Sequence, residues 1–223
     1  MNNPVRRDYA NESMIKSLFG SEGATISQER PAFRDDAERL KSEIFRSYFS
    51  LLNIFYAIEQ TQYYFRRYPF SDMPISKSDH LVTVCELYFD RIGRFRDRVK
   101  NLTKLLKQAR GEPDERYGRL VRWLNDNLDG ELRNRNFIQH HGRFECFSAE
   151  RLKLMELLSI NDRSAFKETQ RDLYRNETQK WAARCVSTHK ALNHIVDICA
   201  SFVLELDVVN GRVEADPGRE GAE

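Results

Sequence analysis

Glycine and proline are scarce in this chain, ten and six among 223 residues. A turn-rich all-β fold draws on more of both, so that class is disfavoured from the outset. Cysteine is sparse too. The four residues, Cys85, Cys146, Cys185 and Cys199, show no CxxC pairing, and reduced, mostly buried thiols are expected. No uninterrupted apolar stretch approaches the ~20 residues that cross a bilayer. The opening "MNNPVRRDYANES" lacks the apolar centre of a signal peptide. A cytoplasmic protein with no membrane partner is the expectation. Charge of one sign is not in excess either: the net charge is +2, which confines any nucleic-acid surface to a local patch. No internal repeat and no run of alternating β-branched residues before Val208 points to a solenoid or a sheet.

What the chain does have is helical patterning. Charged residues make up 31%, above the usual quarter, as long helices with solvated faces require, and 40% apolar content leaves enough for a core. From about 36 to 66, Leu40, Ile44, Tyr48, Leu51, Phe55 and Ile58 fall on one stripe before "YPFSDMP" breaks the helix with two prolines. From about 78 to 110, Leu81, Cys85, Tyr88, Ile92, Phe95, Val99, Leu102 and Leu106 alternate steps of four and three. That heptad-like seam suits antiparallel packing in a bundle or against another subunit. Gly93 inside it costs some helix propensity without interrupting the seam.

After "GEPDE", Tyr117, Leu120, Val121, Trp123 and Leu124 form a short amphipathic segment to about residue 127. "LDGEL" predicts a bend at Gly130, and Ser148 is placed to cap a short helix to about residue 160. A last helix spans about 163 to 206, its apolar face including Phe166, Leu173, Trp181, Cys185, Leu192, Ile195, Cys199, Phe202 and Leu206. The fold class is therefore all-α: an antiparallel bundle of four main helices plus short helices over residues 36–206. A loose N-terminal arm, 1–35, precedes it and a disordered tail, 207–223, follows.

The densest polar chemistry lies in "ELRNRNFIQHHGRF", residues 131–144. At 100° per residue, Arg133, Asn136 and His140, with Phe137 beside them, share one helical face. Arg135 is about 140° from His140, and the adjacent His140 and His141 are about 100° apart. Ile138 points away from Arg133 and His140 toward the core. One reading is a solvated helix end, with the histidines complementing the dipole and Gly142 terminating the helix. A metal site is disfavoured, because helical ligand pairs stand at i, i+3 or i, i+4 and adjacent histidines cannot both aim at one ion. His80, His189 and His194 lie far away in sequence without ligand-spaced carboxylates; His194 and Asp197 suit a helix-surface hydrogen bond. A third reading is metal-free RNA cleavage. Histidine exchanges protons near neutral pH, an arginine fork steadies charge on phosphate oxygens, and an asparagine amide orients either group.

Residues 135–142, "RNFIQHHG", resemble the Arg-(polar)-x-x-x-His signature of the HEPN superfamily, the all-α domains of many prokaryotic toxins and RNases. That signature allows four to six residues between Arg and His and favours Asn directly after the Arg. Arg135-Asn136 with His140 is the best match; Arg135 with His141, and Arg133-Asn134 with His140, also satisfy it. The resemblance implies a helical bundle that dimerises through its motif-bearing helices and cuts RNA by 2′-hydroxyl attack, without metal or cofactor. His140 would be the acid/base, Arg135 the phosphate-stabilising group and Asn136 the orienting amide, with Arg133 and His141 as secondary candidates. A toxin–antitoxin or phage-defence setting follows, with RNA and an antitoxin or defence-system protein as partners. Members regulated by a nucleotidyltransferase often carry Tyr two positions after the His. Gly142 stands there in this chain, which gives no support to that regulation. The alternatives are a catalytically silent HEPN-like module that binds RNA or a partner protein, and a helical interaction protein.

Two further features belong to an RNA path. Arg91, Arg94, Arg96, Arg98, Lys100, Lys104 and Lys107 form a basic run, which as a solvated helix flank needs no function and as a functional one tracks phosphates. Tyr63, Tyr64 and Phe65 form an aromatic cluster better suited to core or interface than to base stacking.

Overall fold

The computed structural model describes residues 36–66, 75–111, 114–159 and 165–214. The expected N-terminal arm, the whole "YPFSDMP" break and the end of the expected tail lie outside them. Six α-helices and no strand occur among the described residues: α1 Asp36–Arg66, α2 Lys77–Arg110, α3 Glu115–Asn127, α4 Asp129–His141, α5 Phe147–Ser159 and α6 Ala165–Glu214. The last helix runs eight residues past the boundary at Leu206 read from the sequence.

Local chemistry sets several of these ends. Ser76 caps α2 by accepting from the Asp79 amide at 3.0 Å. Gly111 closes the same helix at φ 70°, donating to the Lys107 carbonyl. Asp114 caps α3 through the Arg116 amide at 2.8 Å. Two expectations are corrected. The bend falls at Leu128, not at Gly130, which sits inside α4. Ser148 does not cap α5, because the helix already begins at Phe147, and the Ala149 and Glu150 amides donate to the Cys146 carbonyl.

All eight seam residues of α2 are buried, and the apolar stripe of α1 faces them from Ile44 to Phe65. The partner that the seam requires is therefore inside the chain: α2 packs against α1 and α6. Leu192, Ile195, Cys199, Phe202 and Leu206 of α6 are buried as the sequence predicts. Nearer its start the buried line shifts to Gln170, Tyr174 and Thr178, while Phe166, Leu173 and Trp181 are half-buried. Polar partners account for the shift. Lys77 donates to the Gln170 side chain at 3.1 Å, and the Tyr174 hydroxyl meets His80 Nδ1 at 2.7 Å. Ser78 donates to Glu156 of α5 through both its amide and hydroxyl. Trp181 ties three helices and a loop together, stacking on Phe65 and meeting Phe89 and Phe144 edge-on, with Tyr88 also at 6.0 Å.

Burial pushes the His80 imidazole below the usual histidine range. Its folded pKa lies under its unfolded one, so the unfolded chain takes up the proton first. The stability contributed by the neutral ring is complete above about pH 6.5 and is lost as pH falls toward the folded value. Thermal unfolding is expected to show Tm falling from about pH 7.5 to about pH 5.5, and His80→Gln to flatten that slope. An unflattened slope would remove His80 as its source. The step at lower pH belongs to other groups. Hydrogen bonds from Arg143 hold the Asp79 carboxyl, and from Arg116 the Asp114 and Glu205 carboxyls, below the usual range.

The four cysteines are free, and only Cys146 is not fully buried. Burial pushes the Cys185 and Cys199 thiols up to about 12, and raises those of Cys85 and Cys146 as well. A thiol reagent is therefore expected to titrate Cys146 alone, and slowly, in the folded protein, and all four after denaturation. Rapid reaction of a second native thiol would contradict this packing.

Candidate functional site

The helix α4 is fastened along its inner side. At its start, Leu132 is buried and the Glu131 carboxylate accepts from Arg184 at 2.7 Å. In the middle, the Arg135 side chain lies across Gly93 of α2 and reaches Asp97 at 3.5 Å. A Cβ on residue 93 would stand 2.0 Å from Arg135 Cδ. Gly93, which in sequence looks like a cost to helix propensity, is the seat of an arginine. Beyond the helix end, Phe144 is buried against Phe89 and Trp181, its amide donates to Glu86 at 2.8 Å, and Arg143 pairs with Asp79. Gly142 makes the turn between these anchors and α4. At φ 82° it donates to the Ile138 carbonyl at 2.7 Å, the left-handed ending that glycine supports best.

Fixing the inner side fixes the outer one. Arg133, Asn136, Phe137, His140 and His141 are all exposed. Phe137 stacks on His141 with ring centres 4.3 Å apart, as the i, i+4 spacing allows. Arg133 pairs with Asp129 one turn back. Both partners are largely exposed, and such a helix-surface pair is worth only about 0.3–0.5 kcal/mol, so a phosphate can displace the carboxylate at little cost.

The five candidates thus fall on two sides of one helix. Arg133, Asn136 and His140 share the outer face, with His141 at its margin. Arg135 turns inward, its side chain only 17% exposed and its buried Nε without a hydrogen-bond partner among the described residues. It borders a groove of about 340 Å³ between α2 and α4 that also presents Glu86 and Asp90. Those carboxylates, with Asp97 at the guanidinium, make that side hostile to a phosphate and the outer face receptive.

The basic run on α2 is partly absorbed by the fold. Arg91 donates to the Ala57 carbonyl and Thr61, Arg94 pairs with Asp90, and Arg96 pairs with Asp97. Arg98, Lys100, Lys104 and Lys107 remain exposed. In the aromatic cluster Phe65 is core, while Tyr63 and Tyr64 stay exposed, Tyr64 under the Arg91 guanidinium. Among the described residues no three His, Cys, Asp or Glu side chains converge as a metal-binding set. No described helix is long and apolar enough to cross a membrane. Compared with protein-family models, curated proteins and solved structures, the chain matches none. The functional reading therefore rests on its own residues.

Proposed function

We propose that the protein is a HEPN-type, metal-independent endoribonuclease whose active groove forms where the outer faces of two α4 helices meet. The observation that carries this reading is the exposed face of Arg133, Asn136, Phe137 and His140, held outward by anchors on the opposite side of the helix. What favours Arg133 over Arg135 as the phosphate-holding group is that Arg133 shares that face with His140, whereas Arg135 is engaged by Gly93 and Asp97.

Arg133 and His140 are seven residues apart, about 10 Å along the axis, too far to hold one phosphate from a single chain. Antiparallel pairing about a two-fold axis near Asn136 and Phe137 sets Arg133 opposite His140 of the partner subunit, and does so twice. In that groove the 2′-oxygen attacks the adjacent phosphorus and the P–O5′ bond breaks. One histidine takes the 2′-hydroxyl proton, another gives a proton to the leaving oxygen, and Asn136 orients the phosphate beside Arg133. The products are a 2′,3′-cyclic phosphate and a 5′-hydroxyl. A toxin–antitoxin or defence role belongs to this proposal. RNA cleavage in EDTA tests the chemistry, and cleavage unchanged in a His140→Ala, His141→Ala double variant would overturn it.

A second reading, a silent HEPN-like module that holds a partner protein, is favoured by α5. Phe147, Leu154 and Leu158 align on one exposed stripe, with Phe147 77% exposed. It predicts a complex that survives the histidine substitutions and no cleavage of any RNA tested.

A further inference from the structure

The helices α3 and α4 are joined through one residue. Leu128 has φ −110° and ψ 13°, outside the helical region, and marks the bend between them. The i to i−4 pattern is kept on both sides: the Leu128 amide donates to the Leu124 carbonyl at 3.0 Å, and Leu132 to Leu128 at 2.9 Å. Inward, Tyr117, Leu120, Leu124, Leu128 and Leu132 are buried in succession. Outward, a single line results. At 100° per residue Arg119, Arg122, Trp123, Arg133, Phe137 and His140 fall within about 60° of one another's mean direction, and every one of them is exposed.

This ridge has the chemistry of a surface for single-stranded nucleic acid. Its charges are mixed: Arg119, Arg122 and Arg133 stand with Glu115 and Asp126 on the line, and Asp129 on the flank is engaged by Arg133. Its two aromatic rings, Trp123 and Phe137, are each 39% exposed. In a chain whose net charge is +2, cations and rings alternating along one helical line match phosphates and base faces alternating along a strand. We infer that the outer face of α3 is an RNA approach to the α4 groove, with Trp123 as a base-stacking platform one helix before His140. Arg119 and Arg122, both on the side of Trp123 away from α4, hold the phosphates next to the stacked base. The inference rests on the nuclease reading for the direction in which the strand runs. It names what that reading leaves open, a binding position several nucleotides from the cut.

The test separates the two ideas. A fluorescent twelve-nucleotide single-stranded RNA is titrated by anisotropy in EDTA against the His140→Ala, His141→Ala variant, which holds without cutting. Adding Trp123→Ala is expected to weaken binding about tenfold, and Trp123→Phe to restore most of it, as stacking requires. Arg119→Ala with Arg122→Ala is expected to lower the slope of log K against log salt by about 1.4, two phosphate contacts on a single strand. In the otherwise native protein Trp123→Ala is expected to raise KM for the twelve-nucleotide RNA while turnover of a dinucleotide, too short to reach Trp123, stays unchanged. Unchanged Tm certifies that the variant is folded. Binding indifferent to Trp123, or double-stranded RNA bound as tightly with no dependence on it, overturns the ridge even if cleavage is real. Trp123-dependent binding by a protein that cuts nothing keeps the ridge and removes the nuclease.

Discussion

Incubated with single-stranded RNA in EDTA, the wild-type protein is expected to leave fragments ending in 2′,3′-cyclic phosphate. The His140→Ala, His141→Ala variant is expected to lose a factor of about 10²–10⁴ in rate, the usual worth of general acid–base catalysis. Because EDTA strips divalent metals, activity in its presence ties the chemistry to side chains. The arginines sharpen the test, since the fold gives them different work. Arg133 is exposed and paired only with Asp129. Arg133→Ala should cost about 10²–10³ in kcat, comparable with losing one electrostatic donor, while Tm stays put. Arg135→Ala should lower Tm first, because it empties the contact with Gly93 and removes one of the two arginines that Asp97 meets. Should Arg135→Ala abolish cleavage at unchanged Tm, the roles assigned to the two arginines are reversed.

Substitution at Gly93 is expected to destabilise the protein against the direction that helix propensity predicts. Ala in mid-helix gains about 1 kcal/mol over Gly. At residue 93 the new methyl would stand 2.0 Å from Arg135 Cδ and 2.2 Å from its Nε. The arginine must then leave its seat. The atoms in the way are the far end of a flexible side chain that can swing aside without moving the backbone. The cost is therefore the arginine's own packing and its contact with Asp97, about 1.5–3 kcal/mol for a hydrogen bond to a charged group, which exceeds the propensity gain. The measurement is Tm or the denaturant midpoint of Gly93→Ala, which should fall by several degrees. Combining it with Arg135→Ala should return much of the loss and expose the propensity gain, a coupling that a double-mutant cycle reads directly. Additive effects would mean that the two residues do not meet.

The bundle was legible because its signals are periodic. Every residue of the α2 seam is buried, and the stripes of α1 and the second half of α6 lie where three- and four-residue spacing puts them. The first half of α6 escaped that logic. Its interior is held by Gln170 and Tyr174, whose pairing with Lys77 and His80 depends on a helix some ninety residues away, and by Thr178, which donates to the Tyr174 carbonyl of its own helix. The bend at Leu128 was misread because Gly130 carries the local signal for irregularity, whereas an amphipathic helix tolerates one exposed glycine. The outer face of α4 was visible from angles alone, since Arg133, Asn136 and His140 were already aligned. What the angles could not say was which arginine the fold would claim. That depended on a gap in α2, and the one mark of it in the sequence is a lone glycine in an otherwise unbroken helix. The ridge on α3 was hidden for a similar reason. Trp123 falls in the amphipathic segment with Tyr117, Leu120 and Leu124, yet it stands outside with Arg119 and Arg122 while those three are buried.

The tandem Arg-Asn pair gains a meaning from the seat of Arg135. Two copies of one dipeptide offset by two residues are turned about 200° from each other on a helix, so they point in opposite directions. One arginine is thereby held by the fold and the other left at the surface. A single-residue insertion between Glu131 and Arg133 would rotate both arginines relative to the anchor at Glu131 by about 100°, leaving neither where it now stands. The short span from Glu131 to Arg135 is thus the least tolerant of length change in the helix. A substitution within it removes one side chain, whereas an insertion or deletion displaces both arginines at once.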